Sequence, residues 1–198
     1  MTKPLFNKEY LEVVEKLPDF IEYTYWEQLQ KRKIVLNEDI DFTLIERAII
    51  QIINWNEEDE SVSVEKRKPI EILLSSGGGD VIAGFALIDV IKNSKTPVHI
   101  TAIGMAASMA ALLLMSGHRR KALKNTTILI HDGQLGVHST SKKAKQTMEY
   151  YDKLEERTNN FVLENTKISK ELLDEKSSDE WYMFADEALE LGIIDEIL

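Results

Sequence analysis

The chain has 198 residues, 43% of them hydrophobic, and a formal net charge of −10 at pH 7. This length favours one domain with a substantial core, and the absence of cysteine excludes disulfides, cysteine-ligated zinc and a cysteine nucleophile. The acidic balance argues against a general nucleic-acid-binding surface. Residues 1–9 lack the apolar core of a signal peptide, and the longest apolar stretch, 103–115, is too short to span a bilayer. We therefore expect a cytoplasmic protein that binds neither nucleic acid nor membrane.

The spacing of apolar residues predicts the elements of the first third of the chain. Residues 5–25 form a partly helical, aromatic-containing segment that is interrupted at Pro18. A short buried strand is predicted at 33–36 and a helix at 42–55. The charged stretch 56–68 is predicted to be a flexible loop.

Strands and helices alternate through the rest of the chain. The predicted elements are strand 69–74, helix 81–92 with Asp80 as its N-cap, strand 97–103, a fully buried helix at 105–116 with Gly117 as its C-cap, strand 126–131, a long helix at about 141–165, a short helix at 185–191 and a terminal strand at 193–198. This alternation predicts an α/β fold with a parallel sheet and right-handed crossovers. The basic run 118–121 is predicted to be a surface turn or a subunit contact.

A glycine run, Gly77-Gly78-Gly79, separates a predicted strand from a predicted helix. Glycine permits left-handed backbone angles and leaves amide hydrogens unshielded, so such a turn can hold an anion at a helix N-terminus. One alternative is a plain tight turn. Another is a phosphate-binding loop, for which both the GxxxxGK[ST] and the GxGxxG spacings are missing.

Ser108 and His131 are candidates for nucleophilic chemistry. Ser108 lies among small residues at 104–111, near the start of a predicted apolar helix, and His131 ends a predicted strand. Taken singly, each has a structural alternative, namely a serine bonded within a core helix and a structural histidine. The sequence around Ser108 also lacks the GxSxG fingerprint of α/β-hydrolases. Asp132 is a poor partner for His131, because neighbouring strand residues point to opposite faces.

The remaining histidines have no spacing that favours a metal site. They are His99 in a predicted strand, His118 in the basic run and His138 in a polar loop. Without two ligands at a characteristic spacing, a zinc site is not expected.

Several segments occur in an order that resembles one peptidase family. The segments are 76–84, 104–110, 128–131 and 185–195. Together they resemble the proteolytic subunit of the Clp protease, the caseinolytic serine peptidase family. The resemblance covers one domain, residues 26–198, and leaves 1–25 as a divergent N-terminal segment. It implies a ClpP/crotonase-like superhelix of repeated ββα units with a parallel sheet, from which the helix at about 141–165 protrudes as a handle.

The resemblance also implies roles for individual residues. It implies that Ser108 is the nucleophile and His131 the general base. It also implies that the backbone amides of Gly79 and Met109 form the oxyanion hole. It implies the third triad member at Glu180, or at Asp179 if the preceding loop is shifted by one residue. The substrate groove would be lined by Gly78, Gly133, Gln134 and Leu135.

Four positions, in three places, differ from the usual family pattern. Gly77 stands where the family usually has proline, and Asp132-Gly133 replaces Gln-Pro after the histidine. Phe184 takes the place of a serine or threonine N-cap, so the helix that follows is expected to be less well capped. These differences resemble those of divergent, phage-like members.

The function implied by the resemblance is an endopeptidase that cleaves unfolded polypeptide through an acyl-serine intermediate. Family members stack two seven-subunit rings into a tetradecamer around a chamber and work with an AAA+ unfoldase, so ATP-dependent proteolysis is expected. Hydrolysis of this kind needs no metal or organic cofactor. Two alternatives are a non-catalytic ring subunit and a crotonase-like acyl-CoA enzyme.

Overall fold

Helices and strands alternate along residues 20–133, 140–176 and 178–198, the parts of the chain that the computed structural model describes. The helices are α1 (Phe20–Gln30), α2 (Ile50–Glu58), α3 (Val81–Asn93), α4 (Met109–Ser116), α5 (Ser141–Asn165), α6 (Lys170–Lys176) and α7 (Ala185–Glu190). The strands are β1 (Lys33–Leu36), β2 (Ile70–Ser76), β3 (Val98–Ala107), β4 (Arg119–Ala122), β5 (Thr127–Ile130), β6 (Trp181–Met183) and β7 (Glu196–Ile197). A π-helical turn, Ile45–Ile49, leads into α2, and a 3₁₀ turn, Val64–Lys66, follows it.

The strands form one sheet that is parallel except at β6. The main path runs β1-β2-β3-β4-β7 with parallel pairs throughout. On the edge of β3 that faces away from β2, the first half pairs with β4 and the second half with β5. β6 returns antiparallel to β5. The predicted α/β class with a parallel sheet is confirmed.

The core lies between the sheet and the helices that cover it. β2 alternates buried and half-buried side chains, as expected for a strand with one better-covered face. Every residue of α4 is buried, so this helix packs against β3, α3 and α5 on all its sides, as its uniformly apolar sequence predicts. Among the helices of the described residues, none combines the length and the apolar character that crossing a membrane requires.

The longest helix, α5, has the predicted boundaries and forms the handle. Val162 near its C-terminal end is buried, whereas Met148, Tyr150 and Tyr151 are exposed. The helix therefore joins the core at one end and presents apolar side chains along the rest of its length.

The predicted start of the buried helix was wrong. Residues 105–107 continue β3 past Gly104, and α4 begins only at Met109. The cause is pairing with a distant strand, because Met105, Ala106 and Ala107 lie opposite residues 127–129 of β5. Sheet pairing thus overrides the helix preference of the alanines.

The basic run was also predicted incorrectly, because most of it forms β4 rather than a turn. β4 pairs with β3 on one side and with β7 on the other. Arg119 Nη2 lies 2.6 Å from Glu196 Oε2, and Arg120 Nε donates to Asp195 Oδ2 at 3.0 Å. The cationic strand is therefore neutralised by the acidic C-terminal segment.

The stretch 56–68 is more ordered than the predicted flexible loop. α2 continues to Glu58, and the Asp59 carboxylate that follows is buried. Arg32 binds this carboxylate with both terminal nitrogens, at 2.6 and 2.9 Å, and the Thr96 hydroxyl donates to it at 2.9 Å. The Arg32 hydrogen bond lowers the pKa of Asp59 against the opposing effect of burial.

Candidate active site

Ser108 occupies the turn between β3 and α4. Its backbone angles, φ 55° and ψ −125°, lie in a region that non-glycine residues rarely adopt. The turn is held on both sides, since the Ser108 amide donates to the Leu129 carbonyl and the Ser108 carbonyl accepts from Ala111, both at 2.9 Å. Ser108 therefore stands before the helix, and the alternative of a serine within a core helix is wrong.

His131 and Glu180 face each other across an antiparallel strand pair. Ile130, the last residue of β5, lies opposite Trp181, the first residue of β6. Extending this register by one residue places His131 opposite Glu180. His131 Nδ1 lies 3.0 Å from Glu180 Oε1, and the side chains are 18% and 56% exposed, respectively.

A backbone turn precedes Glu180. The amide of Asp179 donates to the Lys176 carbonyl at 3.0 Å, which holds the turn that precedes Glu180. Of the two acids expected at this position, it is Glu180 whose oxygen lies within hydrogen-bond distance of the His131 ring.

Ser108 and His131 line the same cavity, which has a volume of about 290 Å³. Its wall is mostly apolar and is formed by residues of α4, α5, α6 and β6. The α5 residues include Met148, Tyr151 and Leu154, which are spaced three residues apart along the helix. Met148 and Tyr151 line this cavity and are also partly exposed at the surface.

A larger groove of about 840 Å³ lies between α3 and α5. It is lined by residues such as Phe85, Lys92 and Phe161, and it contains none of the predicted site residues. The smaller cavity, where the nucleophile and base candidates meet, is therefore the better candidate for the active site.

The glycine run presents the amide of Gly79 toward the side of β3. Gly79 forms a parallel bridge with Ile40, in which the Gly78 carbonyl accepts from Ile40 at 2.8 Å and the Asp80 amide donates to Ile40 at 2.7 Å. Both bonds lie on the side of the glycine run that faces Ile40. The amide of Gly79 therefore points to the opposite side, away from Ile40. The φ angles of Gly78 and Gly79, 100° and 148°, are those that glycine adopts readily.

The lack of a side chain at Gly78 leaves space beside the amide of Met109. A Cβ at this position would lie 2.7 Å from both the Ala107 carbonyl and Ser108 Cβ, and 3.1 Å from the Met109 nitrogen. Met109 is the first residue of α4, so its amide is among those that a helix leaves without an internal partner. Glycine at 78 therefore leaves access to the Met109 amide beside Ser108.

Of the remaining groove candidates, the structure describes only Gly133. Gly133 lines the cavity, and a Cβ there would meet open space. Gln134 and Leu135 lie outside the described residues.

Two histidines away from the site, His99 and His118, have structural partners. His99 Nδ1 lies 3.2 Å from Glu71 Oε1, and His118 Nδ1 accepts the Val98 amide at 2.9 Å. Burial lowers the pKa of His118. His138 lies outside the described residues, within which no cluster of His, Asp and Glu is arranged to bind a metal ion.

Sequence reasoning missed three residues that shape this region. Ile40 anchors the glycine turn, Trp181 sets the register that brings Glu180 to His131, and Gly84 packs against the side chain of Met109. Only Gly84 had a sequence signal, since glycine in the middle of a predicted helix usually has a packing reason.

A comparison with known protein families places the whole described region in one of them. The family model described as Clp protease matches residues 20–198. The match spans every helix and strand from α1 to β7, including the segments that carry Ser108, His131 and Glu180. The α/β fold with its parallel sheet and handle helix is consistent with this assignment. The chain therefore belongs to the Clp protease family and is a ClpP-like peptidase.

Proposed function

We propose that this chain is a serine endopeptidase that cleaves unfolded polypeptide through an acyl-enzyme at Ser108. The observation that carries the proposal is that Ser108, Met109 and His131 line one cavity. Glu180 lies within hydrogen-bond distance of His131, the Ser108 turn is strained, and Gly78 lies against Ser108 and the Met109 nitrogen.

In the proposed mechanism, Glu180 accepts a hydrogen bond from Nδ1–H of His131, which leaves Nε2 free to act as the base. Nε2 takes the proton of Ser108 as Oγ attacks the carbonyl carbon of the scissile peptide. The tetrahedral intermediate collapses when the imidazolium donates that proton to the leaving amine. Water then attacks the acyl-serine with the same base, releasing the carboxylate product and restoring the hydroxyl.

The amides of Gly79 and Met109 stabilise the negative charge that develops on the carbonyl oxygen. The Met109 amide belongs to the N-terminus of α4, where the helix dipole adds partial positive charge. Removal of one preorganised donor of this kind costs about 3 kcal/mol of transition-state stabilisation. Since backbone amides are fixed by the fold, their contribution needs little reorganisation during the reaction.

The substrate is proposed to bind as an extended strand along a groove formed by Gly78, Gly133, Gln134 and Leu135. Gly133 lines the cavity, and a Cβ there would meet open space, which supports access of an extended chain on that side. The apolar wall of the 290 Å³ cavity is suited to an apolar side chain next to the cleaved bond. An extended substrate explains why an unfolded chain is the expected target.

We further propose that the subunits assemble into stacked seven-membered rings that receive substrate from an AAA+ unfoldase in the cytoplasm, which makes proteolysis of folded proteins ATP-dependent. The exposed apolar side chains of Met148, Tyr150 and Tyr151 on α5 support a role for this helix in assembly.

The test is hydrolysis of fluorogenic peptides and of an unfolded protein by the purified oligomer. We expect Ser108→Ala to abolish hydrolysis while the oligomer, followed by sedimentation velocity, stays intact. Ser63→Ala, which removes an exposed hydroxyl before the Val64–Lys66 turn, is the matched control and should retain full activity. Full activity of Ser108→Ala contradicts the proposal, and an intact wild-type oligomer without hydrolysis favours the non-catalytic ring subunit.

A further inference from the structure

Helices α3 and α4 touch at Gly84, where a Cβ on α3 fits only if the side chain of Met109 shifts. Gly84 is buried in α3, and a Cβ at this position would lie 2.3 Å from Cγ, 2.6 Å from Cε and 2.7 Å from Sδ of Met109. Real Cβ atoms essentially never approach other atoms this closely. The side chain of Met109 therefore occupies the space that any larger residue at 84 needs.

The backbone at Gly84 gives no other reason for glycine. Gly84 lies in the interior of a regular helix, and its φ is not in the left-handed region. Alanine is more favourable than glycine in such a position, because glycine loses more backbone entropy on folding. The contact with Met109 is the feature that explains why position 84 has no side chain.

The same turn of α3 is tied to the amide of Gly79. Gly79 directly precedes Asp80, the N-cap of α3, whose carboxylate accepts from the Ala83 amide at 2.8 Å. The Asp80 carbonyl accepts from the Gly84 amide at 3.0 Å. One hydrogen-bonded turn thus carries Gly79 at its start and the Met109 contact at its end.

We propose that Gly84 is a positioning residue that sets the separation between the amides of Gly79 and Met109. This inference rests on the proposed function, because the two amides matter as a pair only if they share an oxyanion. Gly84 itself touches no reacting atom. It acts by letting the first turn of α4 approach the first turn of α3.

The direct test is Gly84→Ala. The added methyl must displace the buried side chain of Met109, and we expect this displacement to move the start of α4 away from α3, so that the two amides no longer converge on one oxygen. We expect kcat for peptide hydrolysis to fall about 10- to 100-fold. We expect KM to change less than about threefold, because Gly84 itself does not line the cavity and contacts with bound substrate change less than those with the oxyanion. The affinity for a peptide boronate, which forms a tetrahedral adduct with serine, should fall in parallel with kcat.

A double-mutant cycle separates positioning from general damage. Met109→Ala shortens the side chain but keeps the amide, so it serves as a second background. In this background Gly84→Ala should lower kcat by less than about threefold, because the clash is gone. Gly77→Ala is the matched control, since a Cβ there meets nothing within 4 Å, and it should keep the wild-type kcat.

Each outcome bears on the inference. A folded Gly84→Ala variant with wild-type kcat overturns it, and so does an equal loss of kcat in both backgrounds. If Gly84→Ala alone does not fold, the double variant is compared with Met109→Ala, and a large further loss of kcat overturns the inference. In parallel, wild-type hydrolysis is measured and its dependence on Ser108 is checked with Ser108→Ala. The absence of Ser108-dependent hydrolysis contradicts the proposed function and the inference together, whereas a normal wild type with an unaffected Gly84→Ala contradicts the inference alone.

Discussion

At the residue scale, Gly78 controls access to the Met109 amide. We predict that Gly78→Ala lowers kcat at least about 100-fold and the free energy of unfolding by about 1–3 kcal/mol. The added Cβ would collide with the Ala107 carbonyl and Ser108 Cβ, both at 2.7 Å, and φ is 100°. Peptide hydrolysis and urea unfolding measure the two effects. Gly77→Ala, in open space, is the control, and equal behaviour of the two variants would contradict the prediction.

Glu180 is the residue whose assignment depends most on geometry. We predict that Glu180→Gln lowers kcat about 100-fold, because His131 loses the carboxylate that orients its ring and stabilises the imidazolium. Neutralising a buried triad aspartate lowers kcat about 10⁴-fold. A smaller loss of kcat is expected here, because the Glu180 side chain is 56% exposed and solvent screens its charge.

Asp179→Asn is the matched control for Glu180→Gln. It removes a neighbouring charge, and we expect it to change kcat less than about threefold. Steady-state hydrolysis of a single peptide is sufficient for the comparison. A larger loss from Asp179→Asn than from Glu180→Gln would assign the orienting role to the other acid.

The site residues differ in how far the sequence alone could predict them. The order of the segments containing Gly79, Ser108 and His131 was enough to propose their roles. The choice between Glu180 and Asp179 needed the β5–β6 register, in which Ile130 lies opposite Trp181. That register depends on contacts between residues far apart in the chain, which local patterns do not encode.

At the element scale, a buried ion pair ties the start of β1 to the end of α2. Arg32 has φ 59°, an unfavourable angle for arginine, and both its terminal nitrogens bind Asp59. We predict that Asp59→Asn lowers the free energy of unfolding by about 3 kcal/mol at pH 7, because it leaves the largely buried guanidinium without its counter-charge. Chemical denaturation measures this difference.

The same pair predicts a dependence on pH. Since the folded-state pKa of Asp59 is lowered, its stabilising contribution is present above the unfolded-state value of about 4 and is lost as pH falls through the folded-state value. The difference in unfolding free energy between wild type and Asp59→Asn should therefore shrink below about pH 4. A difference that stays constant or grows on acidification would contradict this interpretation.

The boundaries of β1, α3 and α5 followed from local patterns, whereas those of β4 and α4 did not. Asp80 as the N-cap of α3 is confirmed by its hydrogen bond to Ala83. β4 was missed because its cations are neutralised by Glu196 and Asp195, near the far end of the chain. The helix at Ala185 has Phe184 as its N-cap without a side-chain cap, as expected, although Glu187 accepts the Phe184 amide at 3.2 Å.

At the scale of the whole molecule, sheet topology explains why the site forms at one edge. In parallel strands the carboxyl ends lie together, and the turns after β2, β3 and β5 carry Gly79, Ser108 and His131. β5 pairs with the last part of β3, which brings the end of β5 beside Ser108. The alternation of strands and helices predicts this convergence, but the antiparallel return of β6 that supplies Glu180 was not foreseen.

Assembly belongs to the same scale. The ring stacking proposed for this chain depends on α5, most of which is exposed in the single subunit. The proposed chamber and unfoldase do not enter the chemistry proposed at Ser108. The hydrolytic step can therefore be tested separately from assembly and ATP dependence.

The measurement that tests the central claim most directly is covalent labelling with a fluorophosphonate probe, located by peptide mass spectrometry. We predict a single modified site at Ser108 in the native oligomer at neutral pH. Labelling should disappear in Ser108→Ala and become slower in Glu180→Gln. An intact, folded oligomer in which Ser108 stays unmodified, or in which another residue carries the adduct, would contradict the account.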